Sequence, residues 1–133
     1  GIMNTGMIDA GLNVNMKNDC AVDRDGSILD YCRLKDITIQ AWSPFQYGFF
    51  DGVYLDSDKF PELNRRLDKL AAEKEVSKEA VVVAWIARHP AKIQTIAGTT
   101  NPLRLANLCQ AAKIELTREE WYDIYLSAGN LLP

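Results

Sequence analysis

The chain of 133 residues has the length of one domain, since domains usually hold about 100–200 residues. Apolar residues make up 47% of the chain and charged residues 25%, a composition typical of folded proteins and not of disordered ones. Eighteen acidic residues against fifteen basic ones give a formal charge of −3, which excludes a general nucleic-acid binder because such proteins need a basic face.

The sequence also argues against membrane insertion and against disulfide or zinc chemistry. The longest unbroken apolar run, Ala80 to Ala87, is far shorter than the about 20 residues of a membrane-spanning helix, and residues 1–11 lack the basic start and apolar stretch of a signal peptide. The three cysteines are irregularly spaced, with no neighbouring histidine cluster (Cys20, Cys32 and Cys109). We therefore expect reduced thiols, no membrane partner and a cytoplasmic location.

The first predicted elements are a helix and a strand. Residues 1–25 read as loop, apart from a strand end at the N-terminus. Ser27–Leu34 then has helical spacing, and Lys35-Asp36 forms an exposed helix end. The β-branched run Ile37–Trp42 predicts a buried strand, which Pro44 stops.

A long connection, Ser43–Phe60, follows and contains half of the twelve aromatic residues of the chain. Connections usually hold about 4–6 residues, and longer ordered ones are often functional. The sequence leaves two interpretations open with equal weight. The segment folds over a ligand, or it is an excursion that packs against the body of the domain.

Two helices are predicted next. The first covers Glu62–Glu75, with Pro61 in its first turn and Leu63, Leu67 and Leu70 facing inward. Ser77 caps the second, Lys78–His89, whose eight consecutive apolar residues predict burial on more than one side. His89 lies at the end of that helix, where a cationic side chain complements the helix dipole, so we interpret it as structural.

The C-terminal third predicts one strand and two helices. The strand Ile93–Ile96 is broken at Gly98, and Pro102 opens a helix that runs over Leu103–Ala112. Thr117–Glu120 forms a capping box for a last helix to about Ser127, with Trp121, Ile124 and Tyr125 inward. Alternation of strands and helices predicts an α/β fold with a parallel sheet. A parallel sheet must be covered on both faces, and a sheet of so few strands cannot bury both. We therefore expect residues 1–133 to form a single partial domain.

Four sequence runs resemble the C-terminal part of an aldo-keto reductase of the bacterial oxidoreductase branch. They are ITIQAWSP (37–44), AWIARHP (84–90), QTIAGTTNPLR (94–104) and LTREEWYDIY (116–125), in the family's order and spacing. The resemblance begins at about Ile28 and is loosest over residues 1–25. Family members are (β/α)8 TIM barrels of roughly twice this length. The resemblance implies that Thr38–Trp42 is the seventh strand of such a barrel and Lys92–Ile96 the eighth, so the barrel is incomplete as given.

The resemblance implies a cofactor site after these two strands. In such barrels a phosphate site commonly forms from the loops after strands seven and eight and the start of a short helix. The resemblance implies that residues after the eighth strand bind the adenosine 2′-phosphate and the adenine of NADPH (Gly98, Thr99, Thr100, Asn101, Arg104 and Asn107). We expect the start of this helix to present unpaired backbone amides to the phosphate. The Arg104 guanidinium can form two parallel hydrogen bonds with the same group. The alternative is a capped helix with a solvated arginine.

The turn after the seventh strand resembles the turn that meets the cofactor pyrophosphate in this family. It consists of Ser43, Pro44 and Phe45, and the segment continues over the cofactor to Gly48. The chain has Phe-Gln-Tyr-Gly where many members have small residues or Leu-Gly, so backbone contacts are the ones expected to persist.

The tyrosine, lysine, aspartate and histidine that catalyse hydride reduction in this family belong to the first half of its barrel and have no counterpart in this chain. We therefore expect a fragment of an NADPH-dependent oxidoreductase that reduces aldehydes or ketones, inactive on its own and binding NADPH weakly or not at all. The alternative is a non-catalytic half-barrel module that self-associates. Either way, exposed barrel faces predict a homo-oligomer or a rearranged monomer.

Overall fold

The computed structural model describes residues 27–48 and 52–130. Its elements in chain order are helix α1 (Ser27–Leu34), strands β1 (Gln40–Ala41), β2 (Gln46–Gly48) and β3 (Gly52–Val53), helices α2 (Pro61–Glu73) and α3 (Lys78–Ala87), strand β4 (Gln94–Thr95), helix α4 (Pro102–Cys109), a 3₁₀ turn (Gln110–Lys113) and helix α5 (Arg118–Ser127). The loop predicted for residues 1–25, its strand end and Cys20 lie outside the described residues. None of the described helices is long and apolar enough to cross a lipid bilayer.

Strands β1 and β4 form a parallel pair, as the strand–helix alternation predicts. Gln40 lies opposite Gln94 and Ala41 opposite Thr95. The prediction of a buried strand over Ile37–Trp42 is wrong in length and burial, since β1 has two residues and Ile37 and Trp42 are 48% and 43% exposed. In the described part of the chain this sheet has two strands. The Gln40 and Gln94 side chains, which lie opposite each other, form an exposed hydrogen bond of 2.8 Å.

The connection between β1 and α2 contains an antiparallel hairpin that the sequence did not predict. Strands β2 and β3 pair Gln46 with Val53 and Gly48 with Gly52, with an irregularity between the two pairs. Gly52 has φ of 111°, a backbone conformation that favours glycine, and the Tyr47 ring lies 3.6 Å from where a Cβ would stand. The hairpin leads into Tyr54, whose side chain is fully buried.

Helices α2 and α3 supply most of the core. The predicted inner face of α2 is confirmed, since its three leucines are buried (Leu63, Leu67 and Leu70). Six of the ten residues of α3 are buried, so the prediction of burial on several sides is confirmed. The Ser77 side chain caps α3 by accepting from the Ala80 amide at 3.2 Å. The helix ends at Ala87 and not at His89, because a turn leads into Pro90.

His89 is structural, but the predicted cationic role is wrong. Its Nδ1 accepts a hydrogen bond from the Ala91 amide at 3.1 Å, which requires that this nitrogen carry no proton. Burial, together with the nearby Arg33 cation, lowers the pKa of His89, and Asp30 opposes this shift. The neutral imidazole closes the turn between α3 and β4.

Two tryptophans join α3 to α5. The Trp85 and Trp121 rings stack with centroids 4.5 Å apart and planes 6° from parallel. Each indole Nε1 donates to the other residue's backbone carbonyl, at 3.0 Å from Trp85 and 2.9 Å from Trp121. Both indole donors are therefore satisfied within an apolar contact, which buried tryptophans require.

The last two helices begin where the sequence predicts. Thr117 and Glu120 form the predicted capping box at the start of α5, whose Ile124 is fully buried. Helix α4 begins at Pro102 but ends at Cys109, and the predicted remainder to Ala112 continues as a 3₁₀ turn.

Candidate functional site

The turns after β1 and β4 lie at the same edge of the parallel pair. The carboxyl ends of parallel strands share an edge, and a hydrogen bond of 2.9 Å from the Ile96 amide to the Ala41 carbonyl ties these two ends together. Ser43, after β1, and Gly98, after β4, both have left-handed backbones, with φ of 47° and 59°. Each strand therefore bends sharply as it leaves the sheet.

The turn after β4 is open. No atom lies within 4 Å of the position that a Cβ would occupy on Gly98, and φ of 59° makes a side chain there strained. In residues 27–48 and 52–130, no hydrogen bond occupies the backbone amides of Gly98, Thr99 and Thr100. Thr99 Oγ1 accepts from the Asn101 amide at 3.2 Å, and Thr100 is exposed.

The start of α4 differs from the expectation of unpaired amides. Asn101 Oδ1 accepts from the Leu103 amide at 2.9 Å and the Arg104 amide at 3.2 Å. The Asn101 carbonyl accepts from the Leu105 amide at 3.0 Å, and Pro102 has no N–H to offer. An anion at this helix start would meet the dipole, while its hydrogen bonds must come from the preceding turn or from side chains.

Arg104 and Asn107 lie one turn apart on α4. Arg104 is exposed, and its guanidinium has no hydrogen-bond or ion-pair partner among the described residues. Asn107 is half-buried, and its carbonyl accepts from the Ser77 hydroxyl at 3.3 Å. The arginine is thus available to a ligand, whereas the asparagine backbone is fixed against α3.

The turn after β1 is anchored to the body of the protein. Pro44 is buried and Phe45 packs against the core, while the Gln46 amide closes the turn on the Ser43 carbonyl at 3.2 Å. Among the residues that the structure describes, the Ser43 hydroxyl and the Phe45 amide have no hydrogen-bond partner. Gly48 lies further on, in the β2–β3 hairpin.

Sequence reasoning missed two residues that hold this turn. The Tyr54 hydroxyl donates to the Pro44 carbonyl at 2.8 Å, and the Tyr54 amide donates to the Phe45 carbonyl at 3.0 Å. The Asn64 amide group donates in turn to the Tyr54 carbonyl at 2.8 Å. The sequence contained one signal for these contacts, since Asn64 lies beside Leu63 near the inward face of α2. A polar side chain buried there must form hydrogen bonds with nearby groups.

These contacts bear on the two interpretations of Ser43–Phe60. Residues 52–60, the second half of this segment, pack against the body of the domain, because Tyr54 is fully buried and Phe60 contacts the core. Tyr47 packs edge-to-face on Phe60, with centroids 4.9 Å apart. Phe49 and Phe50 lie outside the described residues.

A groove of about 480 Å³ lies at the opposite edge of the sheet. It is lined by the residues that precede β1 and β4, together with the end of α1 (among them Arg33, Asp36, Ile37 and Lys92). It is therefore separate from the two turns described above.

Comparison with known proteins is consistent with this architecture. The sequence profile described as "Aldo/keto reductase family" matches residues 3–125. The chain is 33% identical over 101 residues to a 6-dehydroglucose reductase of Agrobacterium fabrum, an alignment that covers 75% of this chain and 32% of that protein. It is 31% identical over 106 residues to a 6-dehydroglucose reductase of Novosphingobium aromaticivorans, covering 79% of this chain and 34% of the relative.

A solved structure shares the fold. A thermostable aldo-keto reductase, Tm1743, crystallised with the inhibitor epalrestat, is similar with a TM-score of 0.61 at 23% identity, over 80% of this chain and 36% of that one. The chain thus spans about a third of the length of the relatives that it matches. The match over residues 3–125 includes both turns and every described element from α1 to α4, and the chain belongs to the aldo/keto reductase family.

Proposed function

We propose that this chain forms the C-terminal part of an NADPH-dependent oxidoreductase that reduces aldehydes or ketones. In this proposal β1 and β4 are the seventh and eighth strands of the barrel, and the chain supplies the adenosine-phosphate half of the cofactor site. Family membership supports oxidoreductase chemistry in general, and two relatives are named as reductases of a dehydroglucose. The free Cys32 and Cys109 thiols fit the reducing cytoplasm that we propose as its location.

The observation that carries the proposal is the shared edge of the two turns. Parallel pairing of Gln40 with Gln94 and Ala41 with Thr95 brings Ser43 and Gly98 out at one end of the sheet. Ligands of α/β folds bind at the carboxyl ends of the strands, and phosphate groups bind where glycine lets backbone amides approach them.

The donors of the two turns fit a dinucleotide divided between them. The Ser43 hydroxyl and Phe45 amide are uncommitted donors for a pyrophosphate. The amides of Thr99 and Thr100 and the Arg104 guanidinium are uncommitted donors for a 2′-phosphate. Gly98 leaves the space that the phosphate needs. When bound, NADPH would supply a hydride to the carbonyl substrate, while this chain holds the opposite end of the cofactor.

Arg104→Ala tests the proposal. Arg104 is assigned to the 2′-phosphate, which NADPH carries and NADH lacks. The variant should therefore bind NADPH about 10-fold more weakly, the loss of a charge-assisted contact, and bind NADH as the parent chain does. Titration of cofactor fluorescence measures both affinities.

Arg65→Ala is the matched control, because Arg65 is an exposed arginine on α2 whose partner is Glu62. Its affinity for both cofactors should equal that of the parent chain. If Arg104→Ala binds NADPH as the parent chain does, Arg104 does not hold the cofactor. If the parent chain binds NADPH and NADH with equal affinity, the assignment of the 2′-phosphate to this turn is contradicted.

A second candidate function is that of a non-catalytic module that associates through its sheet. The observation favouring it is the exposure of three large apolar side chains that flank β1 and β4 (Ile37, Trp42 and Ile96). Such surfaces mark protein contacts. Cofactor binding distinguishes the oxidoreductase fragment from the non-catalytic module, because the module does not require a cofactor.

A further inference from the structure

We propose that Tyr54, fixed by Asn64, is a positioning residue that holds the Ser43–Phe45 turn in its anion-binding conformation. This inference rests on the proposed function where it concerns NADPH, and on the geometry alone where it concerns the turn.

Tyr54 contacts the turn through both its side chain and its backbone. The Tyr54 hydroxyl donates to the Pro44 carbonyl at 2.8 Å, and its backbone amide donates to the Phe45 carbonyl at 3.0 Å. One residue thus binds two consecutive carbonyls. Tyr54 is fully buried, and burial raises the pKa of its hydroxyl, so the hydroxyl is protonated and able to donate at neutral pH.

Tyr54 is anchored to α2 by Asn64. The Asn64 side-chain amide donates to the carbonyls of Tyr54, Ser57 and Phe60, at 2.8, 3.2 and 3.0 Å. Asn64 Oδ1 accepts from the Asp56 amide at 2.8 Å. Every polar atom of this buried side chain is therefore used on the segment that carries Tyr54, which fixes the segment to a core helix.

The hydrogen bonds to the turn determine which of its polar groups remain for an anion. A carbonyl oxygen repels an anion, whereas N–H and O–H groups attract it. Tyr54 and the Gln46 amide occupy the three carbonyls of Ser43, Pro44 and Phe45. The uncommitted groups of the turn are donors, the Ser43 hydroxyl and the Phe45 amide. Ser43 also has φ of 47°, an unfavourable conformation for a serine, which the surrounding hydrogen bonds must maintain.

Tyr54→Phe tests the inference, since it removes one hydroxyl and keeps the buried ring. The first measurement is hydrogen exchange of the Gln46 amide, which closes the turn on Ser43. Exchange at Gln46 should rise about fivefold on loss of one hydrogen bond, while the amides of α3 keep the parent rate. Tyr47→Phe is the matched control on the same segment, because its hydroxyl contacts Lys59 and not the turn.

The second measurement is cofactor affinity under conditions where all variants are folded. The pyrophosphate is common to NADPH and NADH, so Tyr54→Phe should weaken both by the same factor of about five, whereas Arg104→Ala weakens NADPH alone. Unchanged affinity in Tyr54→Phe would remove Tyr54 from cofactor binding.

Two further outcomes separate the inference from the proposed function. Unchanged exchange at Gln46, or an equal rise at Gln46 and in α3, would overturn the inference, because Tyr54 would then be absent from the turn or merely part of the core. If the parent chain binds NADPH and NADH with equal affinity while Gln46 exchange rises selectively, the proposed function fails and the positioning of the turn is supported.

Discussion

At the scale of single residues, we expect His89 to make the stability of this protein sensitive to pH. It is the one histidine in the sequence, so no other side chain of ordinary pKa titrates between about pH 5.5 and 7.5. Its folded-state pKa is lowered, so the unfolded chain binds this proton more readily than the folded one. The stability that neutral His89 contributes is complete above its ordinary pKa of about 6.5. It is lost as the pH falls through that value toward the lowered one.

Replacing His89 with asparagine should reduce this pH dependence. The asparagine side-chain oxygen can still accept from the Ala91 amide but does not titrate. Urea unfolding at about pH 7.5 and about pH 5.5 measures the free energy of unfolding at each pH. The parent chain should lose stability toward the lower pH, and His89→Asn should lose less. Equal losses in the two proteins would assign the pH dependence to other groups.

The sequence could predict apolar burial at single positions better than polar contacts. Leu63, Leu67 and Leu70 follow helical spacing, so their common face was readable. Asn64 was not, because its hydrogen bonds go to carbonyls of a preceding segment whose path depends on tertiary packing. The same holds for Tyr54, which meets Pro44 ten residues earlier in the chain.

At the scale of secondary structure, α5 depends on its capping box. Thr117 Oγ1 accepts from the Glu120 amide at 3.2 Å, and Glu120 Oε2 accepts from the Thr117 amide at 2.7 Å. Lys74, from beyond the end of α2, contacts the Glu120 carboxylate at 3.0 Å, so the cap also joins two helices. Loss of the cap should therefore weaken α5 and its contact with α2.

Thr117→Ala should lower the free energy of unfolding by about 1 kcal/mol. Thr100→Ala is the control, because Thr100 is exposed and has no hydrogen-bond partner in the described residues. Urea unfolding followed by the fluorescence of the stacked Trp85 and Trp121 measures both. A loss in Thr117→Ala no larger than in Thr100→Ala would contradict the role of the cap.

Helices were more predictable than strands because their signals are local. The cap at Ser77 and the box at Thr117 lie within three residues of the amides that they bind. The length and burial of β1 depend on strands beside it, which its own sequence does not specify. At the candidate site, the resemblance to the family predicted both turns. That Asn101 accepts hydrogen bonds from the first amides of α4 was predictable from the sequence, because asparagine directly before a helix is a common N-cap residue.

At the scale of the whole molecule, the parallel pair β1–β4 is the feature that most needs further protein around it. Parallel sheets are normally covered on both faces and bordered by further strands. In the described part of the chain, β1 and β4 pair only with each other. The chain spans about a third of its relatives, in which a complete barrel would supply the neighbouring strands.

We therefore expect the isolated chain to self-associate through this sheet. Exposed strand edges and apolar side chains promote pairing between chains. Light scattering should report a mass above the 14.9 kDa of one chain, rising with concentration. Ile37→Lys and Ile96→Lys place a charge at exposed positions beside β1 and β4 and should shift the mass toward the monomer. Leu126→Lys, at an exposed position on α5, should leave the mass unchanged. A monomeric mass for the parent chain at all concentrations would contradict association, and equal effects of all three substitutions would show that the sheet is not the contact.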